Sequence, residues 1–161
     1  MLVFRFGLTA HSPSSRISRR TRRRPTEIPC RKSAIGKPEA ALASVAAGLK
    51  AVEKAGGAPL EAELYRLRGE ALLAGAGTVS EAEAAIEKGI DVARRQNAKS
   101  WELRAATSLA RLRRQQGRPH EAAALLAPIL GWFTEGLDTA DPQAARTLLA
   151  NLTEPAIAAE E

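Results

Sequence analysis

From residue 38 onward the apolar positions recur with the period of an amphipathic α-helix, and before it they show no sustained period. The clearest stretch is Ala82, Ile86, Gly89, Ile90 and Ala93, which share one helical face. Forty residues later stand Ala122, Leu126, Ile129, Leu130 and Phe133, and forty-one residues earlier Ala41, Val45, Gly48, Leu49 and Val52. Each copy opens on a small residue and continues with aliphatic or small ones on the same face. Helix breakers divide the chain between these faces. Pro38 opens a helix over 39–55, which Gly56-Gly57 closes, and Pro59 opens a second that runs to Gly75-Ala76-Gly77. Ser80 is placed to cap a third, with Glu81 and Glu83 in its first turn, and this helix fades at Gln96-Asn97. Ser100 is placed to cap a fourth that ends at Gly117. Pro119 begins a fifth that ends near 134–136, and Asp141-Pro142 a sixth that ends about Leu152. The connections are short, about 3–8 residues, so neighbouring helices are expected to pack antiparallel. Nothing reads as a strand.

The repeated face has a physical purpose. Ala41, Ala82 and Ala122 lack bulk where a partner helix crosses, and Gly69 and Ala110, forty-one residues apart, do the same on the intervening helices. Larger side chains at the fourth and eighth following positions then fill the groove between hairpins. The alternative is a plain antiparallel bundle of Ala-rich helices. A coiled coil is disfavoured because Gly and Pro interrupt every candidate after about 16 residues.

Residues 38–152, with Tyr65-Arg66-Leu67-Arg68-Gly69-Glu70 in one helix and Ser80-Glu81-Ala82 opening the next, resemble tetratricopeptide-like repeats. The period of about 40 is longer than the 34 of that family. The stretches 62–70, Ser100-Trp101-Glu102-Leu103-Arg104-Ala105-Ala106 and Gly131-Trp132-Phe133-Thr134-Glu135-Gly136 resemble the C-terminal end of bacterial signalling regulators with an AAA-type ATPase and an adenylate-cyclase-like domain. Neither of those domains is in this chain. The resemblance implies an all-α fold of about six helices, with antiparallel hairpins stacked as a short solenoid over 38–152. It implies a sensor or scaffold end and no catalysis.

Charge separates the body from what precedes it. Residues 1–37 hold ten Lys or Arg against one acid, Glu27, whereas 38–161 hold fourteen basic and seventeen acidic residues, a net charge of −3. The first 37 residues are Arg- and Ser-rich, punctuated by Pro13, Pro25 and Pro29, and have little apolar surface to offset the entropy of ordering. They are expected to be disordered, and residues 153–161 flexible. The segment reads as a transit peptide or a misread start. Its apolar residues precede the basic run, the reverse of a secretory signal. The single cysteine, Cys30, excludes an intrachain disulfide and a cysteine-built zinc site. No apolar run approaches the roughly 20 residues of a membrane span. A cytoplasmic protein is expected.

Motifs that would carry chemistry fail on inspection. Gly36-Lys37 is not a phosphate loop, because Arg31 stands where its first glycine belongs and Pro38 where Ser or Thr would hold magnesium. Gly75-Ala76-Gly77 follows no strand, and His120-Glu121 lacks a second histidine four residues on. The pairs Glu61/Glu63 and Glu81/Glu83 point to different helix faces, and their place in a first turn explains them as dipole partners. No catalytic, cofactor-binding or metal-binding residue is therefore assigned, and no cofactor is expected.

Candidate partner-binding residues are Trp101 and Trp132, since Trp is favoured at interface anchors, and Arg104, Arg111 and Arg114, which share one face and suit an acidic peptide. The leading expectation is a protein-interaction module with a protein or peptide partner. Helix 39–55 lacks a preceding helix, so Val45, Leu49 and Val52 should leave an apolar edge that self-associates or docks another chain. The competing expectation is a nucleic-acid-binding regulator that uses the arm Arg19-Arg20-Thr21-Arg22-Arg23-Arg24 for salt-sensitive phosphate contacts. No membrane partner is expected.

Overall fold

The computed structural model describes residues 37–153. The expectations for residues 1–36, including Cys30 and the arginine run, and for 154–161 lie outside them. The described residues are all-α, with six helices and no strand: α1 Pro38–Lys54, α2 Glu61–Ala71, α3 Val79–Arg95, α4 Lys99–Gln115, α5 Pro119–Gly131 and α6 Ala140–Thr153. A wider π-helical turn, Leu72–Ala76, extends α2, and Gly75 (φ 121°) and the extended Gly77 end it.

Local signals set these limits, and some differ from expectation. The cap of α3 is Thr78, not Ser80. Its hydroxyl accepts from the Glu81 N–H at 3.2 Å while the Glu81 carboxylate accepts from the Thr78 N–H at 2.8 Å. This reciprocal box satisfies two end donors, and Ser80, two residues further in, adds none. Ser100 likewise lies inside α4, which starts at Lys99 with Ala98 before it. Helix α5 stops at Gly131, short of 134–136. Pro128 has no N–H to give the Ala124 carbonyl, and the helix ends within a turn. Three helices end alike. At the ends of α1, α3 and α4 the residues Gly56, Asn97 and Gly117 turn left-handed (φ 75°, 52° and 76°). The next N–H reaches back to the carbonyls of Val52, Ala93 and Arg113 at 2.9 Å.

Consecutive helices pack on one another, and α2, α4 and α6 also touch in a row, whereas the backbones of α1, α3 and α5 do not approach each other. The pairing of α2 with α3 is antiparallel and close. A Cβ on Gly69 would lie 2.9 Å from the Ala82 carbonyl and 2.3 Å from Ile86, and one on Gly89 would lie 2.9 Å from the Ala62 carbonyl. Bulk is thus absent where the two backbones meet. The main core spans α3 to α6, built on Ile86, Ile90, Leu103, Leu109, Leu126 and Leu148. Each fully buried aliphatic side chain among them contributes about 2 kcal/mol. Helix α4 sits at the centre, against α2, α3, α5 and α6, and from Glu102 to Ala110 only Arg104 is not buried.

The three equivalent faces are not equally covered. Ala82, Ile86, Gly89, Ile90 and Ala93 are all buried, and so are Ala122, Leu126 and Ile129. On α1 only Val45 is buried, at 8% exposure, while Ala41, Gly48, Leu49 and Val52 are half-buried. Val45 therefore departs from its expected exposure. Gly48 lets α1 settle close onto Leu64 of α2.

Candidate functional site

Two features are built by this packing. The first is a groove of about 770 Å³ between α1 and α2. One wall is Leu42, Ala46, Leu49 and Glu53 of α1; the other is Glu61, Tyr65, Arg68 and Leu72 of α2 and its terminal turn. Both follow the spacing i, i+4, i+7, i+11, so each wall is a single helical stripe some 16 Å long. Antiparallel packing sets Leu42 against Leu72, and the chain order brings Glu53 and Glu61 to the turn at Gly56-Gly57. The floor is apolar and the rim carries both signs of charge, with Lys50 and Arg68 beside the two carboxylates.

The second is a ladder of charges across α2, α4 and α6. Arg66 is buried and donates to both oxygens of Glu63, from Nε and from one terminal nitrogen, at 2.7 Å each. Its other terminal nitrogen donates to Glu70, and the Ser108 hydroxyl donates to the same Glu70 oxygen at 3.1 Å. Arg104 stands 3.3 Å from Glu63 and 3.6 Å from Asp141, and its guanidinium lies 5.1 Å from the centre of the Trp101 ring. Burial alone would lower the Arg66 pKa, but the Glu63 hydrogen bond and the Glu70 charge outweigh it and hold the guanidinium charged. Glu63 was expected to serve a helix dipole. It does lie in the first turn of α2, and it is in addition a buried link between two guanidiniums, because the α2 face it occupies is turned toward α4.

A further cluster ties α3 to α4 and α5. Glu83 accepts from Arg118 at 2.9 Å, from Gln116 at 3.1 Å and from Arg113 at 3.3 Å, and Arg113 also donates to Glu87. Burial, which would raise the Glu83 pKa, is outweighed by these three donors, and the carboxyl titrates below its usual range. Glu102, buried beside Lys99 and Arg94, is lowered in the same way.

The expected partner-binding residues fall into separate places. Trp101 is half-buried and packs with Tyr65 on Ala62, Val92 and Ala93, under Arg104. Arg104 is engaged by Glu63 and Asp141, so it is not available to an acidic peptide on its own. Arg111 and Arg114 are exposed and pair with no described residue. Trp132, 59% exposed, meets Phe133 edge to face at 5.5 Å, with the Lys99 ammonium 5.6 Å from its ring centre. Tyr65 and Leu72 were not singled out as binding residues, although the four-residue spacing of their stripe carries the signal. Among the described residues every buried side-chain polar atom has a hydrogen-bond partner. No group of three or more His, Cys, Asp or Glu among them is placed to hold a metal ion, and no helix among them is long and apolar enough to cross a membrane. Compared with models of protein families, with curated proteins and with solved structures, the chain matches none.

Proposed function

We propose that this chain is a non-catalytic docking module, a short row of helical hairpins of tetratricopeptide-like type that offers apolar surface to another helix. The observation that carries this reading is the α1–α2 groove. Its walls are two parallel stripes of helical spacing, its floor is Leu42, Leu49, Tyr65 and Leu72, and its rim is charged. Helix recognition uses anchors at i, i+3, i+4 and i+7 of an incoming amphipathic helix, and two such stripes are their receptor. Several other charges are consumed internally: Arg104, Arg113 and Arg118 hold carboxylates of other helices, and Arg66 holds Glu63 and Glu70 of its own, which leaves no convergent reactive set among them. In this reading the module corresponds to the sensor or scaffold end of a signalling protein, the class that the sequence resembles.

The test is a fluorescent amphipathic helical peptide about 18 residues long, with leucines at i, i+4, i+7 and i+11, titrated with dilute full chain. Micromolar binding is expected, with no binding of a scrambled peptide. Leu49→Glu should weaken it by about tenfold or more at unchanged helix content. Equal affinity for the scrambled peptide, or affinity untouched by Leu49→Glu, would remove the groove from the reading.

A further inference from the structure

We propose that the α1–α2 groove takes an amphipathic helix that carries arginine or lysine at one end, seated between Glu53 and Glu61. This rests on the docking reading above and names the chemistry of its partner. The next pair of helices shows what closes such walls. Forty-one residues beyond Leu42, Ala46, Leu49 and Glu53 stand Glu83, Glu87, Ile90 and Arg94 of α3. At the same distance beyond Glu61, Tyr65, Arg68 and Leu72 stand Glu102, Ala106, Leu109 and Arg113 of α4. These two later stripes are sealed on each other. Ile90, Ala106 and Leu109 are buried in one core, and an ion pair closes each end: Arg113 with Glu83 at 3.3 Å, and Arg94 with Glu102 at 2.9 Å.

The walls of the groove keep the positions and change the residues. At one end Leu42 and Leu72 replace the Glu83–Arg113 pair and meet in an apolar cluster. In the middle Tyr65 puts a ring where α4 has the methyl of Ala106. At the other end Glu53 replaces Arg94 while Glu61 matches Glu102, so two carboxylates stand where a cation and a carboxylate pair. Neither Glu53 nor Glu61 makes an ion pair with another described residue. Lys50 lies one turn before Glu53 and Arg68 two turns beyond Glu61, so both groove cations sit toward the middle of the walls. What this end lacks is a cation of the kind that Arg94 supplies to α4. A helix whose leucines cover Leu42, Leu49 and Tyr65 brings a basic residue to both carboxylates about three turns on, whereas an acidic residue there adds like charge.

Fluorescent helical peptides titrated with the full chain test it. One has leucine at i, i+4 and i+7 and arginine at i+11; the other has arginine at i and leucine at i+4, i+7 and i+11, so the pair covers both directions of docking. One of the two should bind about tenfold tighter than the same peptide with glutamate in place of the arginine. The double variant Glu53→Gln and Glu61→Gln should abolish that preference at unchanged helix content. Glu39→Gln with Glu135→Gln, the same change of net charge away from this end of the groove, should leave it intact. Equal binding of arginine and glutamate forms that Leu49→Glu still weakens would overturn the inference and leave the docking reading standing. A chain that binds none of these peptides would overturn both. A preference that survives the loss of Glu53 and Glu61, or that falls equally in the control variant, would mean that the cation is read elsewhere and would overturn the inference.

Discussion

At Arg66 a guanidinium has been taken out of water and given two carboxylates and a hydroxyl in return. Removing one member of such a set is worse than never building it, because the remaining charges stay buried without a partner. Arg66→Ala should therefore lower unfolding free energy by about 3 kcal/mol. Glu63→Gln, which keeps a hydrogen-bonding group beside Arg66, should cost less; chemical denaturation of the two variants checks the order. Gly69 obeys steric constraint instead. An added methyl would gain about 1 kcal/mol of helix propensity, but it would meet the Ala82 backbone at 2.9 Å. Backbone cannot step aside as a side chain can, so α2 and α3 must separate. Gly69→Ala should destabilise by about 1–2 kcal/mol net, read from the denaturation midpoint. An unchanged midpoint would mean that the crossing has slack. The requirement for a small residue at 69 was legible in the sequence, since it follows from the repeated face. The burial of Glu63 was not. An acid two residues into a helix reads as a dipole partner until its side of the helix is known to face a second helix that carries arginine.

Between elements, the same distinction separates what the letters disclosed from what they withheld. Six helices and their breakers were readable because Gly, Pro and the 3.6-residue period act locally. Caps were less so. Thr78 and Ser80 are both competent, and only the reach of Glu81 back to the Thr78 N–H chooses between them. Pro128 shortens α5 from within a run of otherwise strong helix formers. The ion pairs that join α3 to α4 and α5 were invisible, because Glu83, Arg113 and Arg118 lie thirty or more residues apart and meet only after folding. They make stability depend on pH with a definite sign. The Glu83 carboxyl titrates below its unfolded value, near 4.3 for a free Glu. The folded state thus binds fewer protons than the unfolded state in that window. The stabilisation is complete above the unfolded value and is lost as pH falls through the lower folded one. Thermal melts of the native chain and of Glu83→Gln should differ most at neutral pH and converge on acidification toward about pH 3. A constant gap across that range would mean that the carboxylate charge contributes nothing to holding α3 on α4.

Across the whole molecule, cover is graded from one end to the other. Among the described residues, helix α4 touches four helices and is buried through its centre, whereas α1 touches only α2 with its terminal turn and buries Val45 alone. In an array whose members contact only near neighbours, opening free energy follows such cover, and the least covered end opens first. Amide hydrogen exchange should then rank the helices. In dilute solution α1 amides should exchange at least about tenfold faster than those of α4. The sequence predicted an uncovered apolar edge along the first helix, and α1 does leave Leu42 and Leu49 only half-buried among the described residues. It did not foretell that α1 would turn Gly48 onto Leu64 and leave the stripe of Leu42, Leu49 and Glu53 as the open one. That turn leaves an apolar stripe open between α1 and α2 beside the charged groups of Lys50 and Glu53. If the groove takes an amphipathic helix, adding the helical peptide should slow exchange in α1 and in the 61–72 stripe while leaving α5 and α6 unchanged. Slow exchange in α1 even in dilute solution without peptide would mean that its own contacts suffice, and a helix that is already fully held gives a partner nothing to complete.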